Sequence, residues 1–119
     1  MNKFKSHLIS YKYALRGIYE AFRYENNMLF HLAAAIAVIV VNTLLKISKT
    51  EWLITLLLIG LAWMAEIFNT ALEKLADRVT KEQDPLIRQA KDLAAGAVLI
   101  IGFVAVICAL IIYLPYLMK

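Results

Sequence analysis

The sequence is poor in glycine. Among its 119 residues only four are glycine, namely Gly17, Gly60, Gly96 and Gly102. The phosphate-binding loops of P-loop ATPases and of protein kinases need glycines within a few residues of one another, and no two of these lie that close. The sequence therefore excludes both types of glycine-rich phosphate-binding loop.

Cysteine and histidine are also scarce. Cys108 is the single cysteine, so an internal disulfide is impossible, and we expect it to be a small core or lipid-facing residue. The two histidines, His7 and His31, do not form a zinc pair. We expect His7 at an interface and His31 in a capping or hydrogen-bonding role at the start of an apolar segment.

Charge is missing from long stretches of the chain. Of the residues, 62% are hydrophobic, whereas soluble domains are about half apolar. Three stretches approach or exceed the roughly 20 apolar residues needed to cross a bilayer. The sequence therefore predicts an all-α membrane protein with one domain over residues 1–119. The expected transmembrane helices cover about residues 28–46, 51–78 and 86–118.

A fourth, amphipathic helix is predicted before the first span, over about residues 3–24. Its apolar side chains recur at steps of four and three, the spacing of one helical face. They are Phe4, Leu8, Tyr11, Leu15, Ile18 and Phe22. We interpret the segment as a helix lying on the membrane surface. The alternative is a helix of a short soluble bundle, for which the sequence offers no partner.

Basic residues are concentrated in two segments. Ten of the thirteen lysines and arginines lie in residues 3–23 and 74–91. Because basic loops stay on the cytoplasmic side, we expect the N-terminus and residues 74–91 to be cytoplasmic. The net charge of +4 requires no nucleic-acid partner, since anionic lipid headgroups account for a basic rim.

An acidic stripe follows the second apolar run. On a helix, Glu66, Asn69, Glu73 and Asp77 share one face about 80° wide. A carboxylate within a span is costly and indicates function. Glu73, near the interface, suits a divalent cation, and the deeper Glu66 suits a base acting on a group that arrives from the lipid.

The alternative is that this stripe is structural and pairs with basic residues on neighbouring helices. A second cluster bears on the choice. One face at the start of the third span carries Arg88, Lys91, Asp92 and Ala95. Alone, Lys91 and Asp92 suggest an interfacial charge pair. Combined with Glu25 and Glu73 at the same membrane level, they favour a phosphoryl-transfer site.

The segment "EIFNTALEKLAD", from Glu66 to Asp77, resembles the signature of the small bacterial integral-membrane lipid kinases. These are the prokaryotic diacylglycerol kinases and the related undecaprenol kinases. The segments "RGIYEAFRYENN" and "AKDLAAGAVL" extend the resemblance over nearly the whole chain. It implies a homotrimer of three-span subunits with a surface helix, in the bacterial plasma membrane. It also implies transfer of the ATP γ-phosphate to a lipid hydroxyl with Mg²⁺.

The resemblance assigns roles to individual residues. Glu66 is the expected catalytic base, Glu25 and Glu73 are the expected metal carboxylates and also lie near ATP, and Asn69 shapes the site. The residues standing where the family contacts the nucleotide are Tyr13, Glu82, Asp84, Lys91 and Asp92. Asp84 occupies a position where the family commonly has a histidine.

Ala95 indicates which lipid is phosphorylated. The diacylglycerol-kinase branch has a serine where this chain has Ala95, in "KDLAAG". The segments "YENNMLFH" and "IIYLPYL" also lean toward the undecaprenol-kinase branch. We therefore expect undecaprenol as the acceptor, with diacylglycerol next.

Two other functions fit an intramembrane acid. In a proton or ion pathway, Glu66 and Glu73 would relay cations through an oligomer. The first span argues against it, because it has no charged partner between His31 and Lys46. The other alternative is an assembly subunit without catalytic activity.

Overall fold

The computed structural model describes residues 2–119 and consists of four helices. They are α1 (Lys3–Tyr24), α2 (Asn26–Leu45), α3 (Lys49–Val79) and α4 (Pro85–Leu117). No strand occurs within residues 2–119. Helices α2, α3 and α4 are long and apolar enough to cross a membrane. The predicted all-α membrane fold, with three spans after an N-terminal helix, is confirmed.

Polar caps determine where the helices begin. The Asn2 side chain accepts a hydrogen bond from the Lys5 amide at 2.8 Å and starts α1. Ser48 and Glu51 form a reciprocal capping box at the start of α3. Asp84 caps α4, and Pro85 occupies its first turn, where the missing N–H is not needed.

A three-residue turn, residues 46–48, reverses the chain between α2 and α3. Lys46 adopts a left-handed conformation with φ of 53°. The Ile47 amide donates to the Asn42 carbonyl at 3.3 Å, which closes the end of α2. Because the turn is short, α2 and α3 are antiparallel neighbours. The start of α2 therefore lies beside the part of α3 around Glu66, in the half of the bundle nearer the 80–84 loop.

Few side chains are buried. On α2 the buried residues are Met28, Ala35 and Asn42, seven residues apart, and they mark the stripe that faces α3. Most large apolar residues are exposed instead. This is expected in a bilayer, where lipid tails are as apolar as the side chains and exposure to them carries little penalty.

A polar network ties the three spans together near the 46–48 turn. Asn42 is fully buried and donates from Nδ2 to Thr55 Oγ1 at 2.9 Å. The Tyr113 hydroxyl donates to Asn42 Oδ1, and the Tyr116 hydroxyl donates to Glu51. Each of α2, α3 and α4 contributes to this network, which we call the turn-end network.

Candidate functional site

Glu66 is the one buried carboxylate among residues 2–119. Its residue exposure is 4%, and it lies on α3 facing α2. Asn27 donates from Nδ2 to Glu66 Oε1 at 3.2 Å. His31 Nε2 lies 3.7 Å from Oε2, the other oxygen of the same carboxylate. The acid predicted to be the base is thus buried and in contact with polar groups of the first span.

His31 does not cap α2. The N-cap is Glu25, and His31 lies more than a turn further along, where its ring faces Glu66. Its carbonyl oxygen also accepts a hydrogen bond from Trp63 Nε1 at 3.4 Å. The expectation of a capping role is therefore wrong, although a hydrogen-bonding role was also foreseen. Asn27 was not anticipated, although its four-residue spacing from His31 places the two on one face.

Asn69 and Glu73 form the next polar level along α3. Asn69 donates from Nδ2 to Glu73 Oε1 at 3.4 Å. Asn69 Oδ1 is buried and has no hydrogen-bond partner within residues 2–119. Glu73 is exposed. A buried oxygen left free beside an exposed carboxylate is a place where a hard cation would find two oxygen donors.

Glu25 lies at the junction between α1 and α2 and reaches α3. Its carboxylate is 3.5 Å from Lys74 Nζ. Lys74 directly follows Glu73, so the ion pair brings the α1–α2 junction to the level of Asn69 and Glu73. Both predicted metal carboxylates thus lie at the same end of the bundle, near the 80–84 loop.

The charged residues of α4 do not form the Lys91–Asp92 ion pair that the sequence suggested as a structural alternative. Lys91 donates to Asp77 Oδ1 at 2.7 Å, and Arg88 donates to Asp92 Oδ2 at 2.7 Å. A pair between Lys91 and Asp92 was the structural alternative, and that pair is not formed. Asp77, the last residue of the acidic stripe, therefore contacts α4, whereas Glu66, the first residue of the stripe, contacts α2.

Asp84 and Glu82 lie in the 80–84 loop. Asp84 Oδ1 accepts hydrogen bonds from the amides of Leu86 and Ile87 at 2.9 and 3.1 Å. This carboxylate oxygen is therefore used in capping α4. The Glu82 amide donates to Thr80 Oγ1 at 3.0 Å, and its side chain is exposed.

Tyr13 and Ala95 stand apart from these contacts. The Arg16 guanidinium lies 4.9 Å from the centre of the Tyr13 ring. No hydrogen bond within residues 2–119 joins Tyr13 to the polar groups around Glu66. Ala95 is exposed on α4. The structure thus places these two predicted residues without bringing them to the other site residues.

Two grooves separate α1 from α3. The first, of about 340 Å³, is almost wholly apolar and is lined by Ile18, Phe22, Trp63, Met64, Ile67 and Phe68. Ile67 directly follows Glu66, and Trp63 precedes it by one turn. The second groove, of about 370 Å³, has Gly17, Tyr24, Glu25, Thr70 and Lys74 among its lining residues. An apolar cleft and a partly polar cleft therefore flank the same stretch of α3.

The oxygen donors fit magnesium better than a softer metal. No group of three or more His, Cys, Asp or Glu side chains converges on one point within residues 2–119. Magnesium is usually held by one or two carboxylates together with substrate phosphates. Glu25 and Glu73 are oxygen donors of that type at one end of the bundle, and the Asn69 oxygen is a further free one.

Comparison with known proteins identifies the family. The family described as Prokaryotic diacylglycerol kinase matches residues 12–113. An undecaprenol kinase of Bacillus subtilis is 44% identical over 106 residues, which are 89% of this chain and 86% of that protein. A diacylglycerol kinase of Synechocystis sp. is 36% identical over 113 residues, 94% of this chain and 65% of that one.

A third relative covers less of the chain. A diacylglycerol kinase of Pseudomonas aeruginosa is 34% identical over 85 residues, 71% of this chain and 69% of that protein. The motif that extends from Glu66 to Asp77 lies inside the matched region. The chain belongs to the prokaryotic diacylglycerol kinase family.

Proposed function

We propose that this membrane lipid kinase transfers the γ-phosphate of ATP to the hydroxyl of undecaprenol, with diacylglycerol as the second candidate acceptor. The relative at 44% identity carries the name undecaprenol kinase, whereas the diacylglycerol kinases are 36% and 34% identical. Ala95 supports the same choice, because the diacylglycerol-kinase branch has a serine at its position.

The observation that carries the proposal is the burial of the Glu66 carboxylate within an apolar run of α3, where the neighbouring residues Trp63 and Ile67 line an apolar groove. A glutamate carboxylate held against a bound hydroxyl can take up its proton as a general base. The groove formed with α1 gives an apolar chain a place to lie along the same part of α3. A lipid alcohol entering sideways from the bilayer would meet Glu66 before any group in contact with water.

The reaction that follows is a direct displacement. Glu66 accepts the proton of the lipid hydroxyl as the hydroxyl oxygen bonds to the γ-phosphorus. The bond between that phosphorus and the oxygen bridging to the β-phosphate breaks, and ADP leaves with the bond's electrons. The products are the lipid phosphate, ADP and protonated Glu66, which then loses its proton to water.

The nucleotide end of the site is proposed at the 80–84 loop. Glu25 and Glu73, with Asn69 beside them, would hold Mg²⁺, which when bound would neutralise charge on the triphosphate. Lys91 and Lys74 supply positive charge at this end. The remaining residues proposed to contact the nucleotide are Tyr13, Glu82, Asp84 and Asp92.

We also propose the setting of the enzyme. The excess of Lys and Arg around α1 and the 80–84 loop supports a cytoplasmic N-terminus in the bacterial plasma membrane. ATP would then reach the polar end of the bundle directly from the cytoplasm. A homotrimer is proposed from the resemblance of the chain to its family.

An ion pathway is supported less well. It would need polar groups to continue along α3 from Glu66 to the turn-end network. Between Thr55 and Glu66 the sequence is "LLLIGLAWMA", in which Trp63 has the one polar group, and that group is bonded to α2. The phosphoryl-transfer assay described below distinguishes a kinase from an assembly subunit without activity.

The test is phosphoryl transfer by the purified protein in lipid vesicles. Undecaprenol and diacylglycerol are supplied together with γ-labelled ATP and magnesium, and the labelled lipids are separated. We expect label in undecaprenyl phosphate, with less in phosphatidic acid. Preferential label in phosphatidic acid would reverse the assignment of the lipid, and absence of label from both would overturn the proposed function.

A further inference from the structure

We infer that Asn27 and His31 of α2 are positioning residues that hold the Glu66 carboxylate at both of its oxygens. The inference rests on the proposed function, because it concerns how the proposed base is kept in a productive orientation. Neither residue is among those assigned by the motif that extends from Glu66 to Asp77.

The two contacts are arranged as a pair of donors. Asn27 and His31 are four residues apart, so their side chains leave α2 on one face, one turn apart. Asn27 donates to Oε1 at 3.2 Å, and His31 Nε2 lies 3.7 Å from Oε2. The second separation exceeds a hydrogen bond. Catalytic contacts are often long without substrate and shorten when it binds.

Burial makes these donors important. The Glu66 side chain is 5% exposed and that of His31 is 20% exposed. A buried carboxylate without partners is strongly disfavoured, and no lysine or arginine within residues 2–119 lies within ion-pair distance of Glu66. Asn27 and His31 are therefore the polar side chains that stabilise its charge, and a neutral histidine with its proton on Nε2 suffices for this.

Polar contacts at both oxygens also restrict rotation. The terminal torsion of a glutamate is broad, so a carboxylate bonded through one oxygen still turns. Contacts at both oxygens fix the plane of the group. The lone pairs not used by α2 then point in a constant direction, as a base acting on a bound hydroxyl requires.

The position of His31 is itself fixed from α3 and α1. Trp63, one turn before Glu66, donates from Nε1 to the His31 carbonyl oxygen at 3.4 Å. The Phe22 ring of α1 meets the Trp63 indole edge-on, with ring centres 4.9 Å apart. The histidine backbone is thus tied to the same helix that carries the carboxylate.

The first test compares His31→Gln with His31→Leu. The terminal nitrogen of glutamine reaches roughly as far as Nε2, so it keeps a donor near Oε2, whereas leucine fills similar volume without one. We expect kcat of His31→Leu to fall about ten- to a hundredfold, the usual effect of losing a supporting contact. The KM for ATP should be unchanged, and His31→Gln should keep turnover within about threefold of the parent. Equal losses in the two variants would overturn the inference.

The second test repeats His31→Leu and Asn27→Leu in a Glu66→Gln background. If these residues act through the Glu66 carboxylate, their removal costs nothing further once that carboxylate is gone, so the losses are not additive. A purely structural role predicts the same fold-loss in both backgrounds. Additive losses, measured per folded molecule, would refute the positioning role.

The activity of the unmodified parent protein distinguishes a failure of this inference from a failure of the proposed function. Label transfer to lipid by the parent establishes the kinase activity independently of any α2 variant. With that activity present, additive losses would refute the positioning role alone. Without it, the proposed function fails first, and the inference that rests on it falls too.

Discussion

Lys91 of α4 donates to Asp77 of α3 at 2.7 Å, so an ion pair joins the two helices across the 80–84 loop. Both side chains remain partly exposed, 38% for Lys91 and 51% for Asp77. An exposed pair of this kind contributes little to stability, because water screens the attraction between its charges. It connects the lysine ammonium to α3 at the end of the bundle where we propose that the nucleotide binds.

The first prediction concerns this pair. Lys91→Met should raise the KM for ATP about tenfold or more, the scale of losing a charge-assisted contact of about 1.5–3 kcal/mol. Asp77→Asn should raise it less, because the lysine remains but is no longer held. Both changes should leave the unfolding free energy nearly unaltered, because the pair is exposed to water. ATP titrations of initial rate decide this, and an unchanged KM in Lys91→Met would remove it from the nucleotide site.

The second prediction concerns the metal carboxylates. Glu73→Gln and Glu25→Gln should each raise the magnesium concentration needed for half-maximal rate, because each removes a charged oxygen donor. Glu51→Gln is the matched control, since Glu51 lies at the opposite end of α3. Magnesium titrations at saturating ATP are the measurement. If both variants need no more magnesium than Glu51→Gln, Glu25 and Glu73 are not metal ligands.

The third prediction concerns the base. Glu66→Gln keeps the shape of the side chain but cannot take up the hydroxyl proton. We expect turnover to fall by about two to four orders of magnitude, the range for loss of a general base. ATP binding should persist, and thermal stability should be kept or increased, because a buried charge is removed. Near-normal turnover per folded molecule, together with lower stability, would make Glu66 a structural residue.

The fourth prediction concerns the turn-end network. Tyr113→Phe removes the hydroxyl that donates to buried Asn42 and should destabilise the fold by about 1 kcal/mol, as for hydrogen bonds between membrane helices. Tyr19→Phe, at an exposed position on α1, should have no such effect. Unfolding in detergent titrations reports the difference. The KM values should be unaltered in both variants, and a raised KM in Tyr113→Phe would link this end to the site.

The fifth prediction concerns topology. Single cysteines at Lys49 and Lys81, in a Cys108→Ser background, should react with a membrane-impermeant reagent from opposite faces. These positions leave the caps formed by Ser48 and Asp84 intact. We expect Lys49→Cys to be labelled from outside the cell and Lys81→Cys only after permeabilisation. The reverse pattern would place the 80–84 loop, where we propose that ATP binds, outside the cell and would contradict the proposed topology.

The helices could be predicted from the sequence because lipid imposes a simple requirement on each span separately. An apolar run of sufficient length is helical whatever lies next to it, since its backbone groups must bond within the segment. The structure differs from the expected bounds by two residues or fewer. The first transmembrane helix, for example, begins at Asn26, whereas the expected start was near residue 28.

The partners of the site residues could not be predicted in the same way. The importance of Glu66 follows from its position in an apolar run, which is local information. Its contacts with Asn27 and His31 span 39 and 35 residues, and they depend on how α2 is rotated against α3. The same limit applies to Lys91, because the choice between Asp77 and Asp92 as its partner is made by the packing of α4 against α3.

The turn-end network gives the bundle unequal stiffness along its length. Near the 46–48 turn, buried hydrogen bonds centred on Asn42 connect all three spans. At the other end, the Asn27 contact with buried Glu66 joins α2 to α3, whereas α4 is joined to α3 by the partly exposed Lys91–Asp77 ion pair, which water and salt weaken. The three spans are therefore connected more firmly near the 46–48 turn than at the opposite end. We expect thermal opening to be concentrated at the end opposite the 46–48 turn, where we propose that the lipid enters and its phosphorylated product leaves.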